Sequence, residues 1–209
     1  MEIDVERPVA PGSVAGTGLE IGVLTDLALK TLYVASNIEA FEIAKRLGLS
    51  LTVTTDVLEY LRRERLCEVT GGTGRSEGTL RFVLTSAGIE RALAALAMSG
   101  YVGAAPVPLQ AYIDQVRRQS IHNVEFPRQN IEGSLSHLVL PQRTLDLIGQ
   151  AVSSKRATLI YGASGNGKTS AAVGLAQALP GHILVPYAIE VMRELIQVYD
   201  PSTHEAVDA

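Results

Sequence analysis

Apolar residues recur along the chain with two different periods, and the change of period divides it into elements. From Leu19 the period is helical: Leu24, Leu27, Ala28 and Leu32 fall on one face. Ser36, Asn37, Ile38 and Glu39 have the form of a capping box, predicting a second helix with Ala40, Ile43, Ala44 and Leu47 in phase. Gly48 follows as its C′ glycine. A short turn leads into a third helix from about Thr54, carrying Val57, Tyr60 and Leu61. The period then drops to two. Residues 67–70 read as a short strand, and Leu80, Phe82 and Leu84 alternate with polar residues in a second. Between them, residues 71–78 are polar and glycine-rich, which predicts a hairpin loop. Thr85, Ser86, Ala87 and Gly88 open another helix, with Ile89, Ala92, Leu93 and Leu96 in phase.

Breakers set the boundaries. Residues 1–18, with Pro8, Pro11, Gly12, Gly16 and Gly18, predict a flexible tail. Gly100, Gly103, Pro106 and Pro108 begin a connector over 100–137. It holds a short helix over 109–119 with Tyr112, Ile113 and Val116, then Phe126, Pro127 and Gly133, and is apolar enough to pack on a domain. The last unit spans 138–209. Leu138, Val139, Leu140 and Pro141 precede a helix with Leu145, Ile148 and Ala151 in phase. Residues 153–156 turn the chain into a brief apolar run, 157–161, of the kind a buried parallel strand supplies. A further helix has Ala172, Leu175, Ala176 and Leu179 in phase and stops at Pro180 and Gly181. Residues 182–189 read as the next strand, ending at Glu190.

Between the apolar run and that helix lie Gly162, Ala163, Ser164, Gly165, Asn166, Gly167, Lys168 and Thr169, a G-x-x-x-x-G-K-T sequence, followed by Ser170. The residue types fit phosphate chemistry. Glycines accept left-handed backbone angles and let successive N–H groups curl around an anion. The start of a helix adds unsatisfied N–H groups and the positive end of its dipole. Lys168 would reach the β- and γ-phosphates, and the Thr169 hydroxyl would ligate Mg²⁺. Strand, glycine loop and helix in that order are the context such a loop requires.

Two resemblances follow from these residues. Residues 19–99 resemble a winged helix-turn-helix domain, through the helix-turn-helix of residues 38–66 and the L-T-x-x-G sequence at Leu84, Thr85 and Gly88. Residues 138–179 resemble the opening of an AAA+ ATPase module, and the combination is similar to bacterial AAA+ ATPases that carry a winged-helix region ahead of the core. The fold expected is an incomplete α/β P-loop NTPase module with a parallel sheet, preceded by a winged helix-turn-helix-like α+β domain. What the resemblance implies is ATP as the nucleotide with Mg²⁺, adenine against Val139 and Leu140, a homo-oligomer, and remodelling of a protein or protein–nucleic acid partner. The alternative is a nucleotide-switched winged-helix transcription regulator; a P-loop kinase or other NTPase is a third reading. No guanine-reading N-K-x-D sequence occurs.

The hydrolytic half departs from that family. No run of four apolar residues followed by Asp-Glu comes after Thr169. Asp200 is the nearest imitation of a Walker B carboxylate, but Gln197 interrupts its apolar run and Pro201 occupies the catalytic glutamate's place. The expectation is an ATPase cut before Walker B, which binds nucleotide without efficient turnover.

Composition narrows the picture further. With 209 residues, 46% hydrophobic and 19% charged, one or two folded domains are expected. A net charge of −4 gives no overall pull toward nucleic acid or anionic lipid. Arg62, Arg63, Arg65, Arg75 and Arg81 could nevertheless touch phosphates, with Thr52, Thr54 and Thr55 near base edges. Glu59, Glu64, Glu68 and Glu77 are interspersed, so nucleic acid and protein docking both stay open for residues 19–99. A lone cysteine, Cys67, excludes an intrachain disulfide. His122, His137, His182 and His204 are scattered without metal-ligand spacing. No apolar run approaches the ~18 residues of a membrane span, and the start of the chain lacks a signal-peptide apolar region, so a cytoplasmic location without membrane contact is expected.

Overall fold

A computed structural model of the chain describes residues 8–72, 77–120, 127–178 and 182–206. They form a mixed α/β structure in two compact units: the described parts of Arg7–Asp114 with Val185–Ala209, and those of Gln115–Leu184.

In the first unit the order is α1 (Ile21–Ala35), β1 (Ile38–Glu39), α2 (Ala40–Leu47), α3 (Leu51–Arg63), β2 (Cys67–Gly72), β3 (Leu80–Leu84) and α4 (Ser86–Met98). β1, β3 and β2 lie side by side in an antiparallel sheet. Helix α1 is the central element, with Leu24, Leu27, Ala28, Leu29 and Leu32 buried. Around it pack Ile43 and Leu47 of α2, Val53, Val57, Leu58 and Leu61 of α3, and Phe82 of β3. Each such side chain contributes about 1.5–3 kcal/mol by leaving water.

The helix ends follow local chemistry, with two departures from the sequence reading. Gly48 caps α2 at φ 61°, as expected of a C′ glycine. Helix α3 starts at Leu51 because the Ser50 hydroxyl accepts the Val53 N–H. The capping box at residues 36–39 does not form. Ser36 instead terminates α1, its N–H bonded to the Leu32 carbonyl, and Ile38 and Glu39 enter the sheet opposite Phe82 and Arg81. Burying Ile38 against Phe82 wins over a cap, and Arg81 fixes the crossing by donating to Asn37 and Glu39. The tail also differs from expectation in its described part. The Pro11 carbonyl accepts from Ser50 Oγ, residues Ala15–Thr17 form a 3-10 turn, and Val14 packs on the core. Residues 1–7 and the loop positions 73–76, Arg75 among them, lie outside the described residues.

The entry to α4 explains the L-T-x-x-G sequence. Thr85 donates its N–H to the Leu66 carbonyl and its hydroxyl to Arg65, while that hydroxyl accepts the Gly88 N–H. A Cβ on Gly88 would collide with the Leu66 carbonyl oxygen. The buried face of α4 is Gly88, Ala92 and Ala95, whereas Ile89 and Leu93 of the expected face are exposed.

A second sheet completes this unit. β4 (Val107–Pro108) pairs parallel with β5 (Ala188–Val191), which pairs antiparallel with β6 (Glu194–Gln197). The expected strand over 182–189 is thus displaced to 188–191. The backbone at Leu184 is satisfied by the buried Gln119 amide, which accepts its N–H and donates to its carbonyl.

Helix α5 (Leu109–Arg118) leads into the other unit, which contains α6 (Arg128–Ser134), α7 (Gln142–Ser153) and α8 (Lys168–Ala178). Its core is Ile131, Leu135 and Ala171, flanked by Leu138, Leu140, Leu145, Ile148, Val152 and Leu175. Residues 121–126, with His122 and Phe126, and residues 179–181 lie outside the described set. Among the described residues no helix is long and apolar enough to cross a membrane.

Replacing Gly88 by alanine is expected to lower stability by about 3 kcal/mol, the order for forcing atoms into a packed site. Gly100→Ala, where a Cβ meets open space, should change it by under ~0.5 kcal/mol. Urea unfolding of both variants checks this, and equal midpoints would refute the account of Gly88.

Candidate nucleotide-binding loop

Helix α7 ends at Ser153, and Lys155 at φ 56° turns the chain out of it. The Ser154 hydroxyl donates to the Ala151 carbonyl and accepts the Arg156 N–H, fixing that turn. Residues 157–161 then run without secondary structure, and the strand expected there is not formed. Leu159 and Tyr161 are 84% and 87% exposed. The physical reason lies in pairing: a parallel strand needs neighbours on its hydrogen-bonding edges and cover on its faces. The strand expected beside it, β5, belongs to the other unit.

Gly162, Gly165 and Gly167 all adopt positive φ, at 147°, 82° and 70°. A Cβ at any of them meets open space. Backbone angle, not crowding, therefore requires glycine at these three positions. Ala163, Ser164 and Asn166 are exposed between them. Helix α8 begins at Lys168, and the Ala171 N–H donates to the Gly167 carbonyl. Lys168 curls back over the loop, with Nζ donating to the Ala163 carbonyl at 2.7 Å. Thr169 and Ser170 occupy the first turn and face solvent. Loop glycines, helix start, ammonium and hydroxyl thus lie together in one largely exposed stretch of chain.

The helix is held by its opposite face, and this face differs from the expected one. Ala171 and Gly174 are buried and Leu175 half-buried, while Ala172 and Ala176 are exposed. A Cβ on Gly174 would lie 2.9 Å from Leu135 Cδ2 and 3.0 Å from the Ser134 carbonyl, so the close approach of α6 and α8 depends on Gly174 having no side chain. Leu179, the last residue of the expected face, lies outside the described residues.

Val139 is fully exposed, and Leu140 packs into the Ile131–Leu135–Ala171 cluster. Asp200 belongs to the other unit, where it organises a turn. Its carboxylate accepts from both the N–H and the hydroxyl of Ser202, which hold its pKa below the usual carboxylate value. Its own N–H donates to His204 Nδ1. Glu190 accepts the Arg193 N–H at 2.6 Å. Both carboxylates are committed to local turns. Among the described residues no group of three or more His, Cys, Asp or Glu side chains could hold a metal ion.

On the first unit, Arg62, Arg63 and Arg65 are exposed at the end of α3, with Arg63 3.6 Å from Glu59. Arg81 is committed to Glu39 and Asn37. Thr54 is fully buried and donates to the Ser50 carbonyl, so it is unable to reach a base edge; Thr52 is exposed. Comparison with protein-family models, with curated proteins and with solved structures returned no match.

Cys67 is buried, its thiol against the Leu58 carbonyl, and burial pushes its pKa up from 9.0 to about 11 against the smaller pull of Arg62. It is therefore packed rather than nucleophilic. At pH 8 the folded chain should leave a disulfide thiol reagent unconsumed, and one thiol should react after unfolding in guanidinium. Because the folded pKa is the higher one, this group's contribution to stability is complete below pH 9 and falls as pH rises toward 11. Rapid reaction of the native thiol would contradict this.

Proposed function

We propose that residues 162–170 bind the phosphate chain of ATP with Mg²⁺, and that the chain acts as the nucleotide-binding part of an AAA+-type ATPase. The observation that carries the reading is the conjunction at the loop. Three glycines take positive φ directly ahead of α8, whose first two residues are Lys168 and Thr169. Lys168 would exchange the Ala163 carbonyl for β- and γ-phosphate oxygens, and the Thr169 hydroxyl would ligate the metal. Val139 and Leu140 remain the adenine candidates that the family resemblance implies.

The element order of residues 19–99, with an antiparallel β1-β3-β2 sheet against α1–α4, supports a winged helix-turn-helix reading of the first unit. We assign it to protein docking ahead of nucleic acid. Its basic residues are partly spent on Glu39 and Glu59, and Thr54 is buried. Homo-oligomerisation and a cytoplasmic location belong to the same proposal.

Nucleotide binding is tested with a fluorescent Mg²⁺–ATP analogue on the full chain. Lys168→Ala should weaken binding by about 10- to 100-fold, as for loss of one charge-assisted contact. Its melting temperature should stay at the wild-type value, since the ammonium bonds the Ala163 carbonyl of an exposed loop. Equal affinity would defeat the assignment. Asp200→Ala should leave nucleotide affinity unchanged, and steady-state phosphate release should stay slow. Robust turnover lost in both variants would instead make Asp200 a working carboxylate.

Any DNA affinity of the chain should be weak and fall steeply with salt, because few phosphates are neutralised past the interspersed glutamates. Nanomolar, sequence-selective binding at physiological salt would promote the transcription-regulator reading.

A further inference from the structure

Helices α1 and α4 and the β5–β6 hairpin line a part-open cavity of about 180 Å³ within the first unit. Lys30 lines it, yet the Lys30 side chain is only 2% exposed. Its ammonium donates to the Ser99 carbonyl at 3.2 Å. An ammonium carries three N–H donors, and one carbonyl meets one of them. Burial presses its pKa down, with Asp26 opposing that shift.

Two more cations line the same cavity, Arg91 and Arg193, against a single carboxylate, Asp26, which sits 3.2 Å from Arg91. Arg193 reaches Glu20 at 2.8 Å. Of the groups that line the cavity, three are positive and one, Asp26, is negative; Glu20 and Glu190 meet Arg193 from outside that lining. The hairpin turn holds Arg193 in place at a cost. Met192 and Arg193 take φ of 51° and 69°, left-handed angles that non-glycine residues rarely adopt. Leu27, Ala95 and Leu195 supply an apolar remainder of the wall.

We propose that this cavity binds a small organic monoanion, a carboxylate on a short apolar tail. The carboxylate accepts from Lys30 and Arg193 and adds a second negative charge to a wall of three positive groups and one carboxylate. The tail lies against Leu27, Ala95 and Leu195. Its volume equals about six waters at ~30 Å³ each, room for a four- or five-carbon acid.

Calorimetric titration of the full chain with sodium butyrate, at ionic strength held constant with sodium chloride, tests the site. Saturable one-to-one binding is expected, weakened at least tenfold by Lys30→Met and several-fold by Arg193→Gln. Arg193 is 71% exposed, so its replacement keeps the test open should Lys30→Met fail to fold. No heat beyond the chloride control would overturn the proposal, as would undiminished affinity in either folded variant. Inorganic phosphate or 1-butanol binding as well as butyrate would overturn it too, the first by removing the tail and the second by removing the charge.

Discussion

The Leu66 carbonyl oxygen is the point on which the first unit turns. It accepts the Thr85 N–H where β3 gives way to α4, and it lies against the Cα of Gly88 in the first turn of that helix. Two elements meet there with no side chain between them, so the angle at which α4 leaves the sheet is fixed by backbone contact. That angle lays Ala92 and Ala95 against α1 and brings Ser99 over Lys30. The seat of α4 and the Ser99 carbonyl that meets Lys30 both depend on the close approach at one glycine.

The other unit uses the same device in a looser setting. Gly174 lets α8 lie against α6 at the Ser134 carbonyl, and the apolar cluster around Ile131 is small. The three loop glycines obey a different constraint, since they have room for side chains but take angles that side chains resist. Close approach and backbone angle are separate reasons for glycine. Under the proposed function, a loop already curled lowers the ordering cost of nucleotide binding.

Large apolar residues at regular spacing made most of this legible in the sequence. Leu24, Leu27 and Leu32 placed α1, Gly48 ended α2, and alternation at Leu80, Phe82 and Leu84 placed β3. The same habit misled where helices approach closely. On α4 and α8 the helical pattern found Ala92 and Leu175 but also pointed to exposed Ile89, Leu93 and Ala172, and it missed Gly88, Ala95, Ala171 and Gly174. The capping box at Ser36 was a local signal overridden by long-range pairing of Ile38 with Phe82. At the loop, residues 162–170 were readable because the constraint is local. The strand ahead of them was not, because strand formation depends on neighbours elsewhere in the chain. Lys30 gave a faint signal, a charge within an otherwise apolar helix face, that spacing alone did not separate from a solvated lysine.

The parallel pairing of Val107 with Ile189 joins residues about 80 positions apart, which carries a loop-closure entropy of about 4 kcal/mol. The chain between them, glycine loop included, is topologically an insertion into the first unit. Both of its ends are fastened to adjacent strands of one small sheet. Synthesis from the N-terminus therefore delivers β4 long before β5 and the hairpin that lines the cavity. The sheet acts as a clasp, its two parallel strands holding the entry and the exit of that segment side by side.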